Sequence, residues 1–263
     1  MTHIQTTLDN GIATLTLNNP DSHNAFDDRL IADLTASLQA LDKNPEVRVL
    51  VLAAIGKSFS AGADLGWMQR MAQYDETQNI ADARALAELM RSLNEFSKPT
   101  VARVQGSAFG GGVGLIACCD IAVGVYDAQF ALSEARLGLI PAVISPYVIA
   151  AIGARQARRY FLSGERFDAE QAQSIGLLHK IGYADELDAM VTEIVDALLE
   201  CGPAAQTACK QLIQRIAHGD DFGDLVEFTA HAIAKTRSSS EGREGVQSFL
   251  QKRSPGWLRH KKS

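Results

Sequence analysis

The 263-residue sequence contains little that would staple a fold or carry it across a membrane. It has four cysteines, none in a CxxC pair and two of them adjacent, Cys118 and Cys119. That spacing suits neither a zinc site nor a disulfide framework. Cys118, Cys119, Cys201 and Cys209 are therefore expected to be small buried apolar side chains in a reducing cytoplasm. No apolar run approaches the roughly 20 residues of a membrane-spanning helix. The opening MTHIQTTLDNG also lacks a basic segment followed by an apolar stretch, so a cytoplasmic protein without membrane contact is expected. Basic residues are outnumbered, 25 against 31, for a formal charge of −6. With aromatics at 6%, no general affinity for nucleic acid is expected, and an anionic ligand would need a local basic or amide-lined site. A charged fraction of 21% is too low for a disordered chain. A Ser- or Pro-rich linker and a fixed-period repeat are missing as well. What remains is one large core with an appended region, long enough to bury its apolar surface unaided.

The runs His3 to Leu8 and Ile12 to Leu17 flank Asn10-Gly11, a step suited to a hairpin turn. Leu30, Ile31, Leu34, Leu38 and Leu41 recur at helical spacing until Asn44-Pro45. The continuous run Val47 to Ala54 predicts a strand covered on both faces. Lys98 to Gly106 predicts a second buried strand, followed by a glycine run, a helix around Leu115 to Cys118 and a strand near Asp120 to Val125. Beyond Ala154 the pattern is helical, with breaks at Gly164, Asp168, Gly202-Pro203 and Gly219-Asp220. An α/β core with a helical C-terminal part follows.

Gly56-Lys57-Ser58 after a strand suggests a phosphate-binding loop, but Val51 stands where that motif needs its first glycine. Gly112-Val-Gly114-Leu-Ile-Ala117 fits a loose dinucleotide pattern, yet it lies well past its strand and has no acidic residue at the ribose spacing. The six histidines are scattered, and no HExxH or GxSxG motif exists. No metal site is expected.

Two loops survive this elimination, Ser60-Ala61-Gly62-Ala63-Asp64-Leu65 and Gly106 to Gly112, each joining a buried strand to a helix start. Unpaired amides there can hold an anion or a developing oxyanion; either loop alone is equally a tight turn. Glu134, in the apolar stretch Phe130 to Pro141, is placed for a raised pKa and proton transfer, or for a helix cap or ion pair.

Taken in order, Asn18-Asn19-Pro20 with Asn24-Ala25-Phe26, Ala61 to Leu65, Gly106 to Gly112, Cys119-Asp120-Ile121, Glu134 with Gly138 to Pro141, and Glu241 through Trp257 resemble the enoyl-CoA hydratase/isomerase (crotonase) superfamily over nearly the whole chain. The resemblance implies a crotonase-type spiral of ββα units with a C-terminal helical region. Residues 1–195 would form the core with the acyl-CoA site. Residues 196–263 would serve oligomerisation, as a homotrimer or homohexamer, and cover the CoA pocket. It implies an acyl-CoA substrate and no separate cofactor, coenzyme A being part of the substrate. The amides of Ala63 and Gly111 would form the oxyanion hole. The backbone around His23, Ala25, Ala61, Gly62, Asp64 and Leu65 would grip CoA, with Lys252 a candidate for its phosphates.

One departure stands out. A typical hydratase of the family holds water between two glutamates, and this sequence has Gly114 in place of the first. Glu134 alone suffices for a double-bond isomerase, which makes that the rival activity. Ala63 to Met68, Ala108 to Gly114 and Ser133 to Tyr147 nevertheless resemble bacterial 3-methylglutaconyl-CoA and isohexenylglutaconyl-CoA hydratases, which act in leucine or acyclic terpene breakdown. A substrate with a distal carboxylate suggests a cation in the acyl pocket. Arg136 and Arg103 are the candidates, each equally a structural ion-pair partner, and Gly114 and Tyr147 are further candidates to line that pocket.

Overall fold

A computed structural model describes residues 3–217, 219 and 224–258. The N-terminal strands β1 (Ile4–Asp9) and β2 (Ile12–Leu17) form the expected hairpin, with Ile4 opposite Leu17 and Asp9 opposite Ile12. Asn10 and Gly11 at its tip both take positive φ, as a tight hairpin turn requires. Helix α1 (Asp28–Lys43) follows, capped by the Asp27 carboxylate on the Leu30 amide and burying the predicted leucine stripe.

From there the chain repeats one unit. Strand β3 (Val49–Ala54) leads to the short β4 (Ser58–Ser60) and helices α2 (Leu65–Met71) and α3 (Glu76–Asn94). Strand β5 (Thr100–Val104) leads to β6 (Ser107–Phe109) and α4 (Gly111–Cys118), and β7 (Ile121–Val125) to β8 (Gln129–Ala131) and α5 (Ser145–Ser163). After α5 come β9 (Arg166–Asp168), α6 (Ala169–Ser174), β10 (Lys180–Gly182) and α7 (Leu187–Glu200). The long strands join a six-stranded sheet in the order β1-β2-β3-β5-β7-β10, and the short ones a second sheet in the order β4-β6-β8-β9. Each of the three units from β3 to α5 thus places one strand in each sheet before its helical part, and the whole is the crotonase-type architecture expected.

All six residues of β3 are buried, as a strand covered on both faces must be. In β2 only alternate residues are buried: Ala13, Leu15 and Leu17 are fully enclosed, while Thr14 and Thr16 face an open cleft of about 520 Å³ beside α7. Three helices close the described chain: α8 (Pro203–Ala217), α9 (Leu225–Ser238) and α10 (Ser240–Leu250). Lys210 of α8 pairs with Asp120 at 2.7 Å, and Arg48 donates to the Cys201 carbonyl at 2.9 Å, fastening this region to the core. The outer faces of α9 and α10 carry exposed apolar side chains, among them Val226, Phe249 and Leu250.

The structure departs from the sequence reading in two places. The region beyond Ala154, read as helical, also contains β9 and β10. Each has only three residues, too few to display a two-residue alternation. Cys201 and Cys209 are exposed, whereas Cys118 and Cys119 are buried, with thiols pushed up in pKa chiefly by desolvation, Cys119 to about 12. Of the break predicted at Gly219-Asp220, Asp220 lies outside the described residues.

Candidate active site

The second sheet brings the two small-residue loops together. Ser58 pairs with Ser107 and Ser60 with Ala108 across β4 and β6, so both loops leave the sheet side by side. Two glycines permit the close approach that follows. A Cβ on Gly62, already at φ +83°, would lie 2.9 Å from the Phe109 carbonyl oxygen. One on Gly112 would lie 2.9 Å from both Cβ and the carbonyl oxygen of Ser60. Only glycine fits at either place.

Asn24 buttresses this junction from beneath. It is wholly buried at φ +53°, a left-handed conformation that Asn tolerates better than most residues. Its side chain accepts from the Asn19 amide at 2.8 Å and donates to the Ile55 and Ser58 carbonyls, each at 2.9 Å. The Ser60 hydroxyl returns a bond to the Asn24 carbonyl at 2.8 Å, and the Ala61 amide donates to the His23 carbonyl at 2.9 Å. Asn24→Leu would remove three part-buried hydrogen bonds to the backbone and strain φ. A loss on the order of 3 kcal/mol is the expected outcome in denaturant unfolding.

Two amides at this junction point away from the protein's own acceptors. The peptide joining Gly62 to Ala63 is held by its carbonyl, which accepts from the Phe26 amide at 2.6 Å; Phe26 and Ala63 form a parallel bridge. In a trans peptide the Ala63 N–H then faces the opposite way. The Gly110 carbonyl accepts from the Gly114 amide at 3.2 Å inside α4. The Gly111 N–H therefore projects from the helix start, where no side chain caps it and the helix dipole favours negative charge.

Glu134 stands beside them, at the start of a single 3-10 turn ending at Leu137. Its Oε1 lies 3.0 Å from where a Cβ on Gly110 would be, and its Oε2 is buried without a hydrogen-bond partner. Desolvation holds this carboxyl above the ordinary carboxylate range, opposed in part by a hydrogen bond from its own backbone amide. A carboxyl whose pKa is raised in this way is suited to proton transfer. The arrangement can therefore hold an oxyanion on two N–H donors while one carboxyl moves a proton beside it.

The site has no second carboxylate at position 114. A Cβ on Gly114 would overlap the Cγ2 methyl of Ile144 and come within 3.3 Å of Met90 Cε. Both neighbours are apolar and almost completely buried.

Of the residues proposed from sequence, Glu134, Ala63 and Gly111 converge. His23, Ala25, Ala61, Gly62 and Asp64 are joined along the Asn24 buttress and the Phe26–Ala63 bridge, and Leu65 projects into solvent at 77% exposure. Four others make their contacts elsewhere. Arg136 is exposed, its stem packed against Gly164 and its Nε 3.4 Å from the Ser163 carbonyl at the end of α5. Tyr147 is half-buried beside Cys118 and the Glu88, Arg91 and Glu95 cluster of α3. Lys252 is exposed at the end of α10, at φ +53°. Arg103 is paired with Asp188 at 2.6 Å in the cleft beside α7. Phe26, Ile144 and the Trp67–Asp82 hydrogen bond at 3.0 Å that ties α2 to α3 were not singled out from sequence; their partners are remote along the chain and carry no spacing signal. Among the described residues no group of three His, Cys, Asp or Glu side chains is placed to hold a metal, and no helix is long and apolar enough to cross a membrane.

A sequence model of the enoyl-CoA hydratase/isomerase family matches residues 7–260. The chain belongs to this family. A crystal structure of an enoyl-CoA hydratase from Shewanella pealeana is 46% identical and superposes with a TM-score of 0.94, covering 97% of this chain and 96% of that one. Enoyl-CoA hydratase AKT6-1 of Alternaria alternata is 35% identical over 91% of this chain and 78% of its own length. The 2,3-dehydroadipyl-CoA hydratase of Escherichia coli is 32% identical over 93% of this chain and 94% of its own. Membership brings with it the general chemistry of enoyl-CoA thioesters.

Proposed function

We propose that this protein adds water across the 2,3 double bond of an enoyl-CoA thioester, with Glu134 as the single acid/base. The observation that carries this reading is the desolvated Glu134 carboxyl, its Oε2 buried without a hydrogen-bond partner, beside the Gly110–Gly111 peptide. The thioester oxygen sits between the Ala63 and Gly111 N–H groups, which draw electron density from C3 and stabilise the enolate formed when water attacks; one such donor is typically worth about 3 kcal/mol. Glu134 starts ionised, takes a proton from the attacking water and then delivers a proton to C2. Because one carboxyl performs both transfers, hydrogen and hydroxyl enter from the same face.

For the acyl group we propose a 3-methylglutaconyl-type chain, on the strength of the Ala63-to-Met68 and Ser133-to-Tyr147 segments and of a relative whose name gives it a dicarboxylic acyl substrate, 2,3-dehydroadipyl-CoA. Arg136 is the better cation candidate, since Arg103 already faces Asp188. Arg136→Ala is expected to raise KM for glutaconyl-CoA while leaving crotonyl-CoA unchanged, and Arg103→Ala to leave both unchanged. Equal losses on both substrates would refute the carboxylate contact. The exposed apolar faces of α9 and α10 support self-association as a trimer or hexamer.

One observation favours a second reading, a Δ3,Δ2-enoyl-CoA isomerase: Ile144 and Met90 occupy the place where a second carboxylate would help to hold water. Ultraviolet absorbance of the conjugated enoyl thioester separates the two. A hydratase removes it from a 2-enoyl substrate, whereas an isomerase creates it from a 3-enoyl one.

A further inference from the structure

Phe26 touches both halves of the proposed oxyanion hole by different parts of the same residue. Its backbone N–H donates to the Gly62 carbonyl at 2.6 Å and its carbonyl accepts from the Asp64 amide at 2.8 Å, so the two peptides that flank Ala63, the first of which carries the Ala63 N–H, are each held by Phe26. Its ring meets the other donor: Cε2 lies 3.0 Å and Cδ2 3.3 Å from where a Cβ on Gly111 would be. The ring therefore rests against the α-carbon of the residue whose N–H is the second donor. Phe26 is itself immobilised, at 1% exposure, directly ahead of the Asp27 cap that starts α1.

We infer that Phe26 is a positioning residue that sets the separation of the two oxyanion donors, its backbone fixing the first and its ring the second. The inference rests on the oxyanion role of Ala63 and Gly111. It explains why position 111 needs glycine independently of φ: a methyl there would press into the ring and move α4 away from the Ala63 loop. Geometry of this kind is worth a great deal in catalysis, where a displacement of about 1 Å costs about a hundredfold.

The test uses Phe26→Leu and Phe26→Met, which keep the backbone bond and most of the buried volume while removing the flat ring. Such apolar replacements usually leave a core folded. Two quantities are read on protein whose folding has been checked by thermal unfolding. The first is the split of kcat from KM with a 2-enoyl-CoA substrate. The second is the infrared carbonyl band of bound butyryl-CoA labelled at its thioester carbon, an unreactive probe whose band moves to lower frequency when two N–H groups polarise it. Wild-type protein is expected to show the shift. Both variants are expected to lose most of it and about tenfold or more in kcat, with KM little changed. Adding Phe26→Leu to Gly111→Ala is expected to restore part of the shift that Gly111→Ala alone removes.

Variants that keep the full shift and kcat would overturn the role of Phe26 while leaving the hole intact. Absence of any shift in the wild type would overturn the hole itself, and the role of Phe26 with it.

Discussion

Replacing Glu134 by Gln is expected to lower kcat by about 10²–10⁴-fold and, at a pH above the carboxyl's folded pKa, to raise the melting temperature. Both effects have one cause. The carboxyl is desolvated, with Oε2 lacking a partner, so its ionised form is disfavoured in the folded protein and its pKa is raised. A carboxyl whose folded pKa lies above its unfolded value binds its proton more tightly when folded. Its stabilising contribution is full below the unfolded pKa and is lost as pH rises through the folded one. Above that folded pKa the wild type therefore carries a poorly solvated charge that Gln does not. Thermal unfolding against pH is expected to show a decline in wild-type stability across that window that is absent in Glu134→Gln. In the same interval wild-type kcat/KM is expected to rise with pH, because the reaction starts from ionised Glu134. That acid limb should lie above the ordinary range of a glutamate. A variant that kept full activity, or whose pH profile retained the limb, would remove Glu134 from its role.

Gly114→Glu, which restores the carboxylate typical of the family's hydratases, is expected to damage this protein. The new side chain would have to enter space held by Ile144 and Met90. Overpacking of this kind typically costs about 1–3 kcal/mol, and an unpaired charge among apolar neighbours adds more. The total is a large share of a typical stability of roughly 5–15 kcal/mol. Thermal unfolding is expected to show a severe loss for Gly114→Glu and partial recovery in the double variant with Ile144→Ala, which vacates the required space. A single variant with wild-type stability would mean that Ile144 moves aside freely. It would also return the site to a two-carboxylate design.

The hairpin, α1 and β3 were legible in the sequence because each carries a local signature: Asn-Gly at a turn, a leucine stripe at helical spacing, an uninterrupted buried run. The short strands β4, β6 and β8 were not, having three residues each, yet they align the two glycine loops. Helix α3 also escaped, since most of its N-terminal half is exposed and lacks a continuous apolar stripe. At the site, Ala63, Gly111 and Glu134 could be named because the family resemblance fixes their positions along the chain. Their physical support could not. Phe26 acts on Gly111 and Ile144 on Gly114 through contacts between distant segments, and no pattern in either segment announces the other. The arginines illustrate the reverse case: Arg103 looked anomalous in an apolar strand, and its explanation is Asp188 on α7.

The central claim is that one carboxyl and two backbone amides add water to an enoyl-CoA. It is tested most directly by incubating wild-type protein with 3-methylglutaconyl-CoA, and separately with crotonyl-CoA, in water labelled with heavy oxygen, and weighing the product by mass spectrometry. The account predicts a product heavier by one labelled water on at least one of these substrates, and none with Glu134→Gln. Unchanged mass on both substrates, with a 3-enoyl-CoA converted to its 2-enoyl isomer at unchanged mass in a parallel incubation, would contradict it and establish the isomerase.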